Sequence, residues 1–148
     1  NNVRAKMIGE RSRFPEDIQK GIAELEESTK ANTGMLFSFA VNYGGRDEMI
    51  RAIRKIALES SPSELSEKLS HLTEEEFSNY LDTAGTPDPD LVIRTSGEFR
   101  TSNFLLWQSA YAEYYISSVY WPDFNLEELE KAISSYQSRE RRFGGRKA

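Results

Sequence analysis

The apolar residues of this chain change period repeatedly along its length, and this alternation of strand-like and helix-like patterning limits the fold more than any other feature. Val3 to Ile8 alternates apolar and polar side chains and stops at Gly9, as a strand does. Pro15 with Glu16 and Asp17 then opens a helix, because proline suits a first turn and acidic side chains complement the helix dipole there. Ile18, Ile22 and Leu25 give that helix an apolar face, and Asn32-Thr33-Gly34 ends it. Met35 to Val41 predicts a second strand, with Met35, Phe37, Phe39 and Val41 on one face and Leu36, Ser38 and Ala40 on the other. Asn42-Tyr43-Gly44-Gly45 turns into a helix that starts near Arg46 and carries Ile50, Ile53 and Ile56. After the stretch Ser60 to Ser63 come short acidic helices, the last opened by a Thr73–Glu76 capping box.

The second half repeats the alternation. Thr83 to Asp90 is a Pro/Gly/Asp loop, and Leu91-Val92-Ile93 is a short all-apolar run of the kind found in strands covered on both faces. Ser102 is placed to cap a helix bearing Phe104, Leu105, Trp107 and Tyr111. Tyr114 to Tyr120 predicts a further strand, ended by Trp121-Pro122, and Asn125 with Glu128 boxes the start of a final helix. Strands alternating with helices predict an α/β protein with a mostly parallel central sheet flanked by helices. No internal repeat or interdomain linker interrupts residues 1–148, which are expected to form a single domain. The chain enters a strand pattern almost at once, as though cut from something longer.

Composition narrows the chemistry. Hydrophobic residues are 38% and charged residues 29% of the 148 residues, as expected for a globular chain long enough to bury a core. There are no cysteines, which excludes disulfides, cysteine zinc sites and thiol catalysis, and His71 alone cannot build a histidine metal cluster. A net charge of −5 gives no global field for nucleic acid. No apolar run is long enough to span a bilayer and no signal-peptide pattern is visible, so the expected compartment is the cytosol. Positive charge is nonetheless concentrated at Arg94 and Arg100, and again at Arg139, Arg141, Arg142, Arg146 and Lys147. Such patches on an acidic protein suit a small anion, although a solvated helix end explains the terminal group equally well.

Residues 90–103 read DLVIRTSGEFRTSN. In open α/β sheets ligands bind beyond the carboxyl ends of strands, where Arg94 is expected. Ser96-Gly97 lets the backbone turn sharply, Arg100 adds a second guanidinium, and a helix beginning at Ser102 would offer free amides to an anion. Arginine matters because its fork engages phosphate oxygens in pairs. The competing reading has the same arginines on the surface, paired with Glu98 or Asp90.

The run Asp90 to Glu98, then Arg100, Ser102 to Gln108, Tyr111-Ala112-Glu113 and Trp121-Pro122-Asp123-Phe124, closely resembles the signature of cis-prenyltransferases of the undecaprenyl diphosphate synthase type. Asn42-Tyr43-Gly44-Gly45-Arg46 and the closing Arg139 to Gly145 match further blocks in the same order. The resemblance implies a transferase of isoprenoid biosynthesis that condenses isopentenyl diphosphate with an allylic prenyl diphosphate into a cis-polyprenyl diphosphate. It implies that Arg94, Arg100, Thr101 and Ser102, with Arg142 and Gly144, hold the diphosphate of isopentenyl diphosphate, that Glu113 is a magnesium-linked carboxylate, and that the protein is a homodimer. With Ser102 and Glu113 on one continuous helix, their separation would be roughly 16 Å. Glu113 would therefore act across the dimer or indirectly, unless it simply bonds backbone or an arginine.

The resemblance also shows departures. Some members carry a histidine metal ligand where this chain has Phe99, and the family's amino-terminal Asp-Gly-Asn-Gly-Arg block does not occur in the sequence. No catalytic residue is therefore expected within these residues, and the chain alone is expected to be inactive. The alternative is a non-catalytic partner subunit of a heteromeric cis-prenyltransferase. The Met35, Phe37, Phe39, Val41 face is either ordinary core or the wall of a hydrophobic tunnel for the growing product, whose greasiness would bring peripheral membrane contact.

Overall fold

In the computed structural model residues 2–139 are described, and they fall into two compact units, one ending at Thr86 and one beginning at Pro87. In the first, strand β1 (Arg4–Ile8) leads through helix α1 (Glu16–Thr29) to β2 (Leu36–Ala40), followed by α2 (Gly45–Glu59), α3 (Pro62–His71) and α4 (Glu74–Ser78). The strands pair in parallel with Arg4 opposite Leu36 and Ile8 opposite Ala40. Parallel pairing requires a crossover, and α1 supplies it. It also covers the free edge of β1. Thr29 Oγ1 accepts the Ala5 amide at 3.1 Å and Glu26 Oε1 accepts the Met7 amide at 2.8 Å. Side chains thus satisfy backbone donors that an open edge would present to another strand. Gly9 then turns the chain at φ 122°, where a Cβ would come within 2.1 Å of the Val41 carbonyl oxygen, so only glycine fits.

The first core gathers Met7, Ile8, Ala52, Ile56, Phe77 and Leu81. Helix α2 buries Ala52 and Ile56 together with Glu48, whereas Ile50 and Ile53 are about half exposed, so its buried face is rotated away from the one the isoleucines predict. Glu48 is 1% exposed and fully engaged. Its carboxylate accepts the Tyr43 hydroxyl at 2.6 Å and the Asp82 amide at 2.9 Å. Asp82 in turn takes both guanidinium nitrogens of Arg51 at 2.7 and 2.6 Å and the Gly9 amide at 2.9 Å. Lys6 donates to the Ala84 carbonyl at 3.0 Å. The stretch after α4 is therefore clamped to β1 and α2 by polar contacts.

In the second unit β3 (Leu91–Arg94) and β4 (Glu113–Ile116) pair in parallel, Leu91 opposite Glu113 and Arg94 opposite Ile116. After a 3₁₀ turn at Trp121–Asp123, helix α5 (Leu126–Gln137) packs on β4. Asn125 caps α5 by accepting the Glu128 amide at 3.2 Å. The Glu128 carboxylate does not complete the box; it accepts from Ser117 Oγ and from Lys131.

Two further expectations are corrected here. The strand placed at 114–120 is Glu113–Ile116, and the chain beyond it loops instead of extending. The helix expected from Ser102 does not form: residues 102–111 make successive turns. Ser102, Asn103 and Leu105 have φ of 50°, 65° and 46°, left-handed values that no right-handed helix contains. The amide and hydroxyl of Ser109 both donate to the Leu105 carbonyl, at 2.9 and 2.6 Å, and Tyr114 Oη donates to Ser109 Oγ at 3.0 Å. This stitching holds Leu105 in a conformation that costs a residue with a Cβ about 1–2 kcal/mol.

Candidate functional site

Arg94 closes β3, and the chain turns immediately after it. Ser96 and Gly97 adopt φ of 67° and 66°. Their amides donate to the Val119 and Ser117 carbonyls at 2.9 and 2.8 Å, while the Ser117 amide donates to the Arg94 carbonyl at 2.8 Å. The turn is thus pinned to the loop that follows β4. Ser117 is only 3% exposed, and its hydroxyl ties that loop to Glu128 of α5. The Ser96 and Gly97 amides are consumed by this scaffold, so their contribution is to shape the turn.

The turn borders a recess of about 290 Å³ at the carboxyl end of β3, and Arg94 and Arg100 both line it. Ser96 and Thr101 contribute hydroxyls, and Phe104, Tyr114 and Trp121 form an aromatic side. Arg94 is partly buried. Arg100 is more open, its side chain 58% exposed and ion-paired with Glu98. Among the described residues no ion pair engages Arg94. The arrangement therefore combines one guanidinium in a half-sheltered position, one held by an acid on the rim, hydroxyl donors and a flat apolar wall. It can receive an anion whose other end is a small hydrocarbon.

The other sequence-derived candidates are distributed differently. Ser102 is exposed and does not line the recess; without the helix it was expected to cap, free helix amides contribute nothing to the anion site. Glu113 stands at the amino end of β4, three strand residues from the level of Arg94, which is roughly 10 Å. Its carboxylate accepts from Arg139 at 2.7 Å. Met35, Phe37 and Val41 are 63%, 54% and 40% exposed, and the Phe37 and Phe39 rings stack at 6.3 Å. That stripe is not covered within its own unit. Arg142 and Gly144 lie outside the described residues. Sequence reasoning assigned no site role to Tyr114 and took Trp121 as a strand terminator. The Trp-Pro step was the available signal, since an aromatic fixed in a tight turn beside a strand end is well placed to wall a pocket.

The magnesium implied by the resemblance does not find a ligand set here. Among the described residues no three or more acidic, histidine or cysteine side chains gather where they could hold a metal. Glu113 offers one carboxylate, already engaged by a guanidinium.

A basic, aromatic-walled recess thus lies at the carboxyl end of a parallel strand, the place where open α/β sheets keep their ligand sites. The comparisons make this specific. A family model described as "Putative undecaprenyl diphosphate synthase" matches residues 1–144, and the chain belongs to that family, the cis-prenyltransferases. It is 52% identical over 145 residues to an isoprenyl transferase of Clostridium perfringens, covering 98% of this chain and 56% of that relative. It is 50% identical over 144 residues to an isoprenyl transferase of Geobacter sulfurreducens, covering 97% and 58%. Among solved structures it is similar to lavandulyl diphosphate synthase from Lavandula x intermedia in complex with dimethylallyl diphosphate, at a TM-score of 0.86 and 39% identity over 96% of this chain and 60% of that one. It is also similar to a probable undecaprenyl diphosphate synthase from Campylobacter jejuni, with a TM-score of 0.82, 38% identity, and coverage of 97% and 64%. The chain thus spans little more than half the length of these curated relatives.

Proposed function

We propose that these residues supply the isopentenyl-diphosphate site of an enzyme that lengthens an allylic prenyl diphosphate into a cis-polyprenyl diphosphate. The observation that carries the reading is the meeting of Arg94 and Arg100 in one recess at the end of β3. Their guanidinium groups bind the diphosphate, Ser96 and Thr101 donate to its remaining oxygens, and Trp121, Tyr114 and Phe104 lie against the five-carbon chain. Arg142 and Gly144 complete the grip in this proposal, and Ser102, which does not line the recess, shapes the turn beside it.

In the reaction a carbon–carbon bond forms from the isopentenyl double bond to the allylic carbon, the allylic carbon–oxygen bond breaks to release diphosphate, and a proton leaves to set the new cis double bond. Arg94 and Arg100 act by fixing the attacking substrate, since orientation is a large share of such a rate. Magnesium belongs to the proposal as a cofactor of the whole protein, and no step is assigned to it here. Both units are read as parts of one prenyltransferase domain that works as a homodimer in the cytosol, touching membranes through its product. Alone, residues 1–148 are expected to bind isopentenyl diphosphate weakly and not to turn over. The presence of Arg94, Arg100, Ser102 and Glu113 together favours a catalytic chain over a silent partner subunit.

The test is steady-state kinetics of the full protein. Arg94→Ala is expected to raise KM for isopentenyl diphosphate by roughly 10- to 100-fold, the equivalent of one charge-assisted contact of about 1.5–3 kcal/mol. Unchanged KM in both Arg94→Ala and Arg100→Ala would defeat the assignment.

A further inference from the structure

The backbone hydrogen bonds that pin the turn after β3 end on Ser117 or on a residue that the Ser117 hydroxyl holds. The Ser117 amide donates to the Arg94 carbonyl at 2.8 Å, and the Ser117 carbonyl accepts the Gly97 amide at 2.8 Å. The Ser96 amide donates to the Val119 carbonyl at 2.9 Å, and the Val119 amide in turn donates to Ser117 Oγ at 3.2 Å. Ser117 is almost fully buried, and its own hydroxyl hydrogen goes to Glu128 Oε2 on α5 at 3.2 Å. A buried hydroxyl needs such an acceptor, and its oxygen keeps lone pairs for the Val119 amide.

Glu128 leaves its own helix to make this contact. A glutamate three residues after a helix cap ordinarily reaches back to the amide of the capping residue. Here the cap is Asn125, and Glu128 turns instead to the loop after β4, its side chain 16% exposed and Lys131 Nζ 2.7 Å away. Lys131 holds the Glu128 carboxyl below its usual range, and the Ser117 hydroxyl acts in the same direction against the opposing effect of burial. The group is therefore an ionised acceptor at neutral pH, and an ionised acceptor makes the stronger kind of hydrogen bond.

We infer that Ser117 and Glu128 are positioning residues for the diphosphate recess, and that α5 holds the turn after β3 in place through their carboxylate–hydroxyl bond. Arg94 and Ser96 both line the recess from that turn, so a loop released from α5 lets them shift against the rest of the lining. The consequence for substrate rests on the isopentenyl diphosphate reading above. The coupling of α5 to the turn does not.

The experiment compares the full parent protein with Ser117→Ala, Ser117→Thr, Glu128→Ala, the Ser117→Ala, Glu128→Ala double variant and Lys131→Met, with Arg94→Ala as the reference for a lost substrate contact. KM for isopentenyl diphosphate should rise about 3- to 10-fold in Ser117→Ala and in Glu128→Ala, the worth of one hydrogen bond, while kcat and KM for the allylic diphosphate stay within about 2-fold. The double variant should rise no further than the larger single, because only one link is lost. Ser117→Thr keeps the hydroxyl and should stay near the parent, as should Lys131→Met, which breaks an exposed ion pair and leaves the Ser117 bond. Hydrogen exchange at the Ser96 and Gly97 amides, read without substrate, should quicken in Ser117→Ala and Glu128→Ala. Glu128 lies outside the buried Ser117 site, so its variant carries the test even where a Ser117 change unfolds the protein. Unchanged exchange in Glu128→Ala would overturn the link. Faster exchange with KM unmoved, while Arg94→Ala raises it, would overturn the positioning role, as would equal changes in kcat and in both KM values. A parent with no affinity for isopentenyl diphosphate would sink the functional reading and leave the coupling to be judged by exchange.

Discussion

Arg94 and Arg100 enter the same recess under different electrostatic conditions, and the difference is testable. Arg100 already shares its charge with Glu98 on an exposed rim, while Arg94 is partly buried and, among the described residues, meets no acidic side chain in an ion pair. An anion must compete with Glu98 for Arg100 but not for Arg94. Arg94→Ala should therefore raise KM for isopentenyl diphosphate more than Arg100→Ala does. Glu98→Gln, which removes the competitor, should lower KM or leave it unchanged in the same initial-rate assay. A rise in KM with Glu98→Gln would show that Glu98 orients Arg100 instead of competing for it. The sequence states both outcomes for these residues, an anion site or surface pairing, and the structure contains some of each. Spacing alone cannot resolve them, because it does not reveal which way a side chain leaves a turn.

At the scale of elements, local signals were legible where local chemistry decides. The Thr73–Glu76 box closes as read, with the Glu76 amide on Thr73 Oγ1 at 3.1 Å, and Asn125 caps α5. The helix expected after Ser102 fails because Phe104, Leu105, Trp107 and Tyr111 mimic helical spacing while Ser102, Asn103 and Leu105 occupy left-handed backbone. Nothing in residue type announces a left-handed leucine; the Ser109 bonds that hold it come from the folded loop. The Asp82 clamp was invisible for a related reason, since its partners Gly9 and Arg51 lie 73 and 31 positions away.

This clamp sets a stability prediction. The Asp82 and Arg51 side chains are only 11% and 14% exposed, so Asp82→Ala, which removes the two-point partner of Arg51, leaves it Asp47 and Glu10, and unpairs the Gly9 amide, should cost roughly 3 kcal/mol in denaturant unfolding. Burial raises the Asp82 carboxyl, but Arg51, the Gly9 amide and Lys55 outweigh it and hold it below its usual 3.8. A carboxylate with a lowered folded-state value contributes stability above its unfolded value, and that contribution is lost as pH falls through the folded one. Unfolding followed from pH about 5 downward should therefore show a steeper acid limb in the parent than in Asp82→Asn. Parallel limbs would contradict the clamp.

For the whole molecule, the family follows from ordered sequence blocks and from a match extending over residues 1–144, whereas the tunnel depends on what lies against Met35, Phe37, Phe39 and Val41. The stripe's exposure is unusual for β-strand side chains of this size and agrees with a surface that other parts of a longer protein, or a hydrocarbon, would cover. Replacing Met35 or Phe37 by alanine in the full enzyme should change the length distribution of the polyprenyl products, read by chromatography after dephosphorylation. An unaltered distribution in both would assign the stripe to packing. Among the described residues no helix is long and apolar enough to cross a membrane.

The central claim is that one recess on the second unit grips the diphosphate of isopentenyl diphosphate through two arginines. Calorimetric titration of isopentenyl diphosphate into the full protein and its Arg94→Ala, Arg100→Ala double variant tests this without requiring turnover. The account predicts binding by the parent and a loss of about 100-fold or more in the variant, which corresponds to roughly 3 kcal/mol. Equal affinity in the two proteins, with the variant's thermal midpoint intact, would contradict it.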